Sequence, residues 1–84
     1  MDEGFRFGVR IALQRKQLRL SQDDLAKKVG TSAPIIGRYE RREMKPSIGM
    51  ANKISDELEV TFDYLIGRTA NMVLDKNSSE NGRH

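Results

Sequence analysis

The sequence predicts an all-α domain of five short helices, and three observations carry that reading. Capping residues and glycines punctuate the chain at helical intervals, apolar residues recur three and four positions apart, and no segment sustains the period-two alternation of a half-buried strand. At 84 residues the chain is one domain at most, close to the size at which a single core is only marginally stabilising.

In "FRFGVRIALQRKQLRL", Phe7, Ile11 and Leu18 share one stripe with Arg15, which predicts a first helix of roughly three turns. Phe5, Val9 and Leu13 form a second stripe, so this helix is expected to be covered on two sides. Ser21 opens the second helix as N-cap, with Asp23 and Asp24 in its positive first turn. Leu25, Ala26 and Val29 give it an inward face, and Gly30 ends it where a positive φ costs little. Thr31 or Ser32 caps the third helix, whose first turn tolerates Pro34 because those N–H groups lack intrahelical acceptors anyway. Ile36, Tyr39 and Glu40 point inward along it, and Ile35 either edges the core, the favoured reading, or leans on an outside partner. "EMKP" breaks the chain before Ser47 caps a fourth helix, with Ile48, Ala51, Ile54 and Leu58 inward. Thr61 caps a short fifth helix in "FDYLIG", closed by Gly67.

Residues 1–67 are thus the expected folded domain and 68–84 a C-terminal extension. Its polar end, "DKNSSENGRH", lacks periodicity and is expected to be disordered. Met72, Val73 and Leu74 have no core stripe of their own. They are expected to dock on Phe5, Val9 and Leu13, within one chain or by exchange in a dimer.

Charge is unevenly spread. From Arg10 to Lys45 ten Lys/Arg stand against four carboxylates, a net of +6, whereas from Pro46 onward the net is −2. The basic half is where an anionic partner would dock. Catalysis is not expected: the sole histidine is the last residue, His84, cysteine is absent, and no glycine-rich loop follows a strand. Asp23 and Asp24 are capping charges rather than a catalytic pair. No cofactor or metal is implied. No apolar run approaches the ~20 residues of a membrane span, and "MDEGFRFG" lacks a signal-peptide layout, so the expected location is cytoplasmic, with no membrane partner.

A short helix, a tight turn with glycine and a second helix match the helix-turn-helix plan, in which the second helix enters the DNA major groove. From roughly Gly8 to Gly67 the sequence resembles the lambda-repressor-like family, the Cro- and repressor-type helix-turn-helix proteins. The resemblance lies in "LSQDDLAKKVGTS", "IIGRYER", the proline of "KPS" and "LEVTFDYLIG". It implies a compact five-helix DNA-binding domain whose helices 2 and 3 form the helix-turn-helix, acting on double-stranded DNA as a homodimer. Two-fold symmetry doubles the base contacts of so small a module.

The resemblance also assigns roles. Gln22 and Ser32 are expected on phosphates, as is Ser21 beside them unless the serines are only caps. Arg41, Arg42 and Lys45 follow the recognition helix, residues 32–42, in a loop that runs along the phosphate backbone in this family. The family usually has a glycine at or near Arg42, where this chain has arginine. Opposite the inward residues, Ala33, Pro34, Gly37 and Arg38 form the expected base-facing row. Arg38 either bonds guanine O6 and N7 bidentately or clamps a phosphate. Ala33 and Pro34 can touch a thymine methyl, and Gly37 admits a close backbone approach. Arg15 and Glu40 lie on inward stripes of otherwise apolar helices and are expected to form a partly buried salt bridge, since pairing is the cheap way to bury either charge.

Two other functions remain open on the sequence. An antitoxin that autoregulates its operon would use the extension as a surface for a protein partner, and a protein-interaction module of the same fold would have lost DNA binding. Gln22, Arg38 and the basic cluster argue against the latter.

Overall fold

The structure, a computed structural model, describes residues 3–67, with side chains described from Phe7 onward. Five helices follow one another: α1 (Glu3–Gln17), α2 (Gln22–Val29), α3 (Ala33–Glu40), α4 (Ile48–Leu58) and α5 (Phe62–Leu65), with no strand among the described residues. The expected docking of Met72, Val73 and Leu74, and the fate of 68–84 as a whole, lie outside the described residues.

Side-chain caps start three of these helices. The Ser21, Ser47 and Thr61 hydroxyls accept from the backbone N–H of Asp24, Met50 and Tyr64 respectively. Ser21 and Asp24 form a full capping box, in which the Ser21 N–H donates to the Asp24 carboxylate at 2.9 Å. That hydrogen bond, followed by the one from the Ser21 hydroxyl, holds the exposed Asp24 carboxyl below its ordinary range. Gly30 ends α2 in the left-handed region at φ 81°.

The core is one cluster drawn from all five helices and the α4–α5 turn. Ile11, Leu25, Ile36, Ile54, Leu58 and Leu65 are fully enclosed, with Phe7, Val29, Tyr39, Ala51 and Val60 around them. Phe7 meets Tyr39 edge to face, ring centroids 6.4 Å apart. Gln14, buried on α1, donates to the Leu58 carbonyl at 3.1 Å and ties α1 to the end of α4.

The approach of α1 to the end of α3 is closer than any side chain permits. A Cβ on Gly8 would lie 2.7 Å from the carbonyl oxygens of both Tyr39 and Glu40, backbone atoms that cannot swing aside. Gly8→Ala is therefore expected to cost about 1–3 kcal/mol by overpacking, despite the better helix propensity of alanine. A thermal melt checks this, and a melting point at or above wild type would mean that the two helices separate freely.

Two expectations from the sequence need correction. α1 is 15 residues long, longer than three turns. On its second stripe, Val9 is 38 % and Leu13 57 % exposed among the described residues, and the segment expected to cover them lies outside those residues. The exposure is geometric in origin, because α3, α4 and α5 all pack against the Phe7–Ile11 side of α1. Ile48, expected inward, is 73 % exposed. As the first residue of α4 it stands where the apolar stripe runs past the edge of the core, lining a shallow groove with Pro46, Phe62 and Ile66.

Candidate functional site

α2 and α3 are joined by a turn of three residues, Gly30 to Ser32, in which the Thr31 N–H donates to the Ala26 carbonyl at 2.9 Å. Burial of Leu25, Ala26 and Val29 on one helix and Ile36 and Tyr39 on the other fixes which side of α3 faces solvent. Ser32 is the N-cap residue of α3 by backbone conformation, but its side chain makes no capping hydrogen bond. Pro34 sits in the first turn.

One carboxylate ties three helices together. Arg15 of α1 donates from Nε to Glu40 Oε2 at 2.7 Å and from Nη2 to Oε1 at 3.1 Å, a bidentate pair with side chains only 10 % and 9 % exposed. The third guanidinium nitrogen of Arg15, Nη1, donates to the Leu20 carbonyl at 2.9 Å. Gln22, the first residue of α2, donates from Nε2 to the same Glu40 Oε1 at 2.9 Å. The N-terminus of α2 is therefore held against the C-terminus of α3 by hydrogen bonds as well as by the core. Nε2 carries two hydrogens, so a second donor direction remains beyond the one directed at Glu40.

The remaining predicted site residues differ in exposure. Ser21, Ser32, Pro34, Arg38, Arg41, Arg42 and Lys45 are exposed, while Ala33 and Gln22 are half-buried. Gly37 differs from the expectation: it is buried, because the ends of the Gln22 and Arg41 side chains lie over it. Arg41 is also paired, its Nε and Nη2 donating to the Glu43 carboxylate at 2.9 and 3.2 Å. That pairing holds the exposed Glu43 carboxyl below its ordinary range.

Arg42 takes φ 65°, the left-handed conformation, directly after α3. The expectation that glycine belongs at or near this position thus has a backbone cause: a Cβ there costs about 1 kcal/mol that glycine avoids. Arg42→Gly is expected to raise the melting temperature by a few degrees, in keeping with about 1 kcal/mol on a domain of this size. An unchanged or lower melting point would show that the Arg42 side chain stabilises the loop more than its backbone strains it.

Not every cation of the basic half faces the site. Arg10 turns to α5, where its Nη1 donates to the Tyr64 carbonyl and its guanidinium lies 4.1 Å from the Tyr64 ring centroid. Arg15 is neutralised inside. Sequence reasoning missed the Gly8 approach, the Gln22–Glu40 hydrogen bond and the Arg10–Tyr64 stack, each of which joins residues far apart in the chain. No helix among the described residues is long and apolar enough to cross a membrane, and no group of carboxylates and histidines among them could hold a metal ion.

This architecture is that of a helix-turn-helix domain, and residues 11–65 match the family model described as helix-turn-helix. The chain belongs to that family, in its lambda-repressor-like branch. It is 38 % identical over 61 residues to the cryptic phage CTXphi transcriptional repressor RstR of Vibrio cholerae serotype O1, covering 73 % of this chain and 54 % of the relative. Over 57 residues it is 35 % identical to an uncharacterized HTH-type transcriptional regulator, YqaE, of Bacillus subtilis strain 168, covering 68 % of this chain and 49 % of the relative. The chain thus spans about half the length of each. Among solved structures, the P22 c2 repressor protein in complex with a synthetic operator superposes with a TM-score of 0.72 at 35 % identity, covering 75 % of this chain and 96 % of that one. One chain of the SinR protein/SinI protein complex superposes with a TM-score of 0.66 at 28 % identity, covering 92 % and 75 %.

Proposed function

We propose that this chain is a sequence-specific DNA-binding transcriptional regulator that engages an operator as a homodimer, with residues 32–42 in the major groove. The observation that carries the reading is the exposed side of the α2–α3 pair. Ala33, Pro34 and Arg38 form its outward row, Gln22, Ser21 and Ser32 flank it at two helix N-termini, and Arg41, Arg42 and Lys45 follow its end. Short polar groups and cations in that arrangement suit a phosphate backbone on both sides of a base-reading row. The likeness to the P22 c2 repressor, a protein seen with its operator, supports the same docking.

Selection of bound duplexes from a random pool tests it. The expected result is a two-fold symmetric consensus with half-sites about one helical turn apart, and two chains per duplex by sedimentation. A pool that enriches no sequence would defeat the reading. Within the consensus, Arg38→Ala is expected to relax preference at one base pair per half-site by about 1–3 kcal/mol, because a bidentate bond to a base edge carries sequence information. Uniform weakening across single-base operator variants would instead make Arg38 a phosphate clamp.

A further inference from the structure

Gly37 stands in the middle of an eight-residue helix, where glycine is the least favourable residue after proline. Its φ is not positive, so no turn demands it. What surrounds it does. A Cβ at this position would lie 3.0 Å from Arg41 Nη1 and 3.6 Å from both amide atoms of Gln22. The two side chains arrive from opposite ends of the helix pair, Gln22 from the start of α2 and Arg41 from just beyond α3. Each is anchored from behind: Gln22 Nε2 by Glu40 at 2.9 Å, and Arg41 by Glu43 through Nε and Nη2, so that Nη1 is the nitrogen left over Gly37.

Building on the DNA-binding reading, we infer that Gly37 is a positioning residue: its missing side chain leaves a saddle on α3 in which the Gln22 carboxamide and the Arg41 guanidinium meet to hold one backbone phosphate. Two donor groups within 3.0 and 3.6 Å of a single point present a target the size of one phosphate group. Gly37 itself touches no DNA. The glycine is kept for the path of the Arg41 side chain, and the carboxylates of Glu40 and Glu43 hold the two donors in place.

The distinguishing measurement is a cycle on the full chain, using a mixed-sequence DNA duplex as probe and reading affinity against salt. Gly37→Ala and Gly37→Met should both melt at or above the wild-type temperature, since each is a better helix former and the atom met first is the end of a flexible side chain. Gly37→Met, which fills the saddle without offering a hydrogen bond, should weaken binding and lower the log–log salt slope by about 0.9 per monomer. Gly37→Ala needs Arg41 to yield only a few tenths of an ångström and should show the same direction at smaller amplitude. With Gln22 and Arg41 both replaced by Ala, Gly37→Met should change nothing further. Wild-type affinity and slope in Gly37→Met overturn the inference, as does a full effect that persists in the doubly substituted background, which would place DNA itself against position 37. A wild-type chain that binds no duplex at all overturns the functional reading and the clamp with it.

Discussion

Glu40→Gln is expected to lower the melting temperature of the DNA-free protein by about 10 °C or more, a larger stability effect than either glycine substitution above. Glu40 is the common acceptor for Arg15 and Gln22, and its side chain is as buried as that of Arg15. The amide is the same shape but carries no charge, so Arg15 keeps its desolvation cost without the partner that offset it. Breaking one side of a buried pair costs about 3–5 kcal/mol, and about 1 kcal/mol moves the melting point of a domain this size by roughly 4–8 °C. Replacing both members with apolar residues, Arg15→Met with Glu40→Leu, should recover much of the deficit, because it removes the stranded charge. Melts of the three proteins without DNA decide the matter. A Glu40→Gln protein that melts with the wild type would mean that solvent reaches Arg15 freely.

Replacing Arg41 and Arg42 together by Gln is expected to have the largest effect on DNA binding. Every phosphate that the protein ceases to neutralise takes about 0.9 off the dependence of log affinity on log salt. Two such phosphates in each half of a dimer amount to about 3.6, so raising salt from 50 to 200 mM should cost the variant roughly a hundredfold less affinity than it costs the wild type. Specific and mixed-sequence duplexes should weaken alike, since phosphates carry no sequence information. The Arg41–Glu43 pair engages Nε and Nη2 and leaves Nη1 for a phosphate. An unchanged slope would show that neither side chain reaches the backbone.

Helix starts were the most legible part of the fold. Ser21, Ser47 and Thr61 cap helices because a hydroxyl oxygen beside an orphan N–H is a local interaction, written in adjacent residues. Helix ends were legible at Gly30 and at Gly67, which follows α5 at φ 90°, and hidden at two others: α4 is ended by Glu59 at φ 63°, and the turn after α1 contains Arg19 at φ 61°, residue types that give no warning of a left-handed backbone. Ile48 was misjudged for a different reason. Periodicity tells which residues share a face, but not how far the neighbouring helices extend over it. In the candidate site, the inward stripes singled out Arg15 and Glu40, whereas nothing in the sequence joins Gln22 to Glu40 eighteen positions away or lays Arg41 over Gly37. The Gln22–Glu40 bond exists only once α2 and α3 are docked.

The hub carboxylate is the last residue of α3, while the outward row lies at Ala33, Pro34 and Arg38. If the outward row reads DNA as proposed, holding and reading fall to different positions of the same eight-residue helix. Substitutions at exposed surface positions such as Arg38 change stability by about 0.5 kcal/mol or less. The outward row can consequently be rewritten, one residue at a time, without passing through an unfolded intermediate. A lineage of such domains can diverge in what each copy recognises while every copy inherits the same frame, and a designer can reprogram this one by leaving positions 15, 22 and 40 alone.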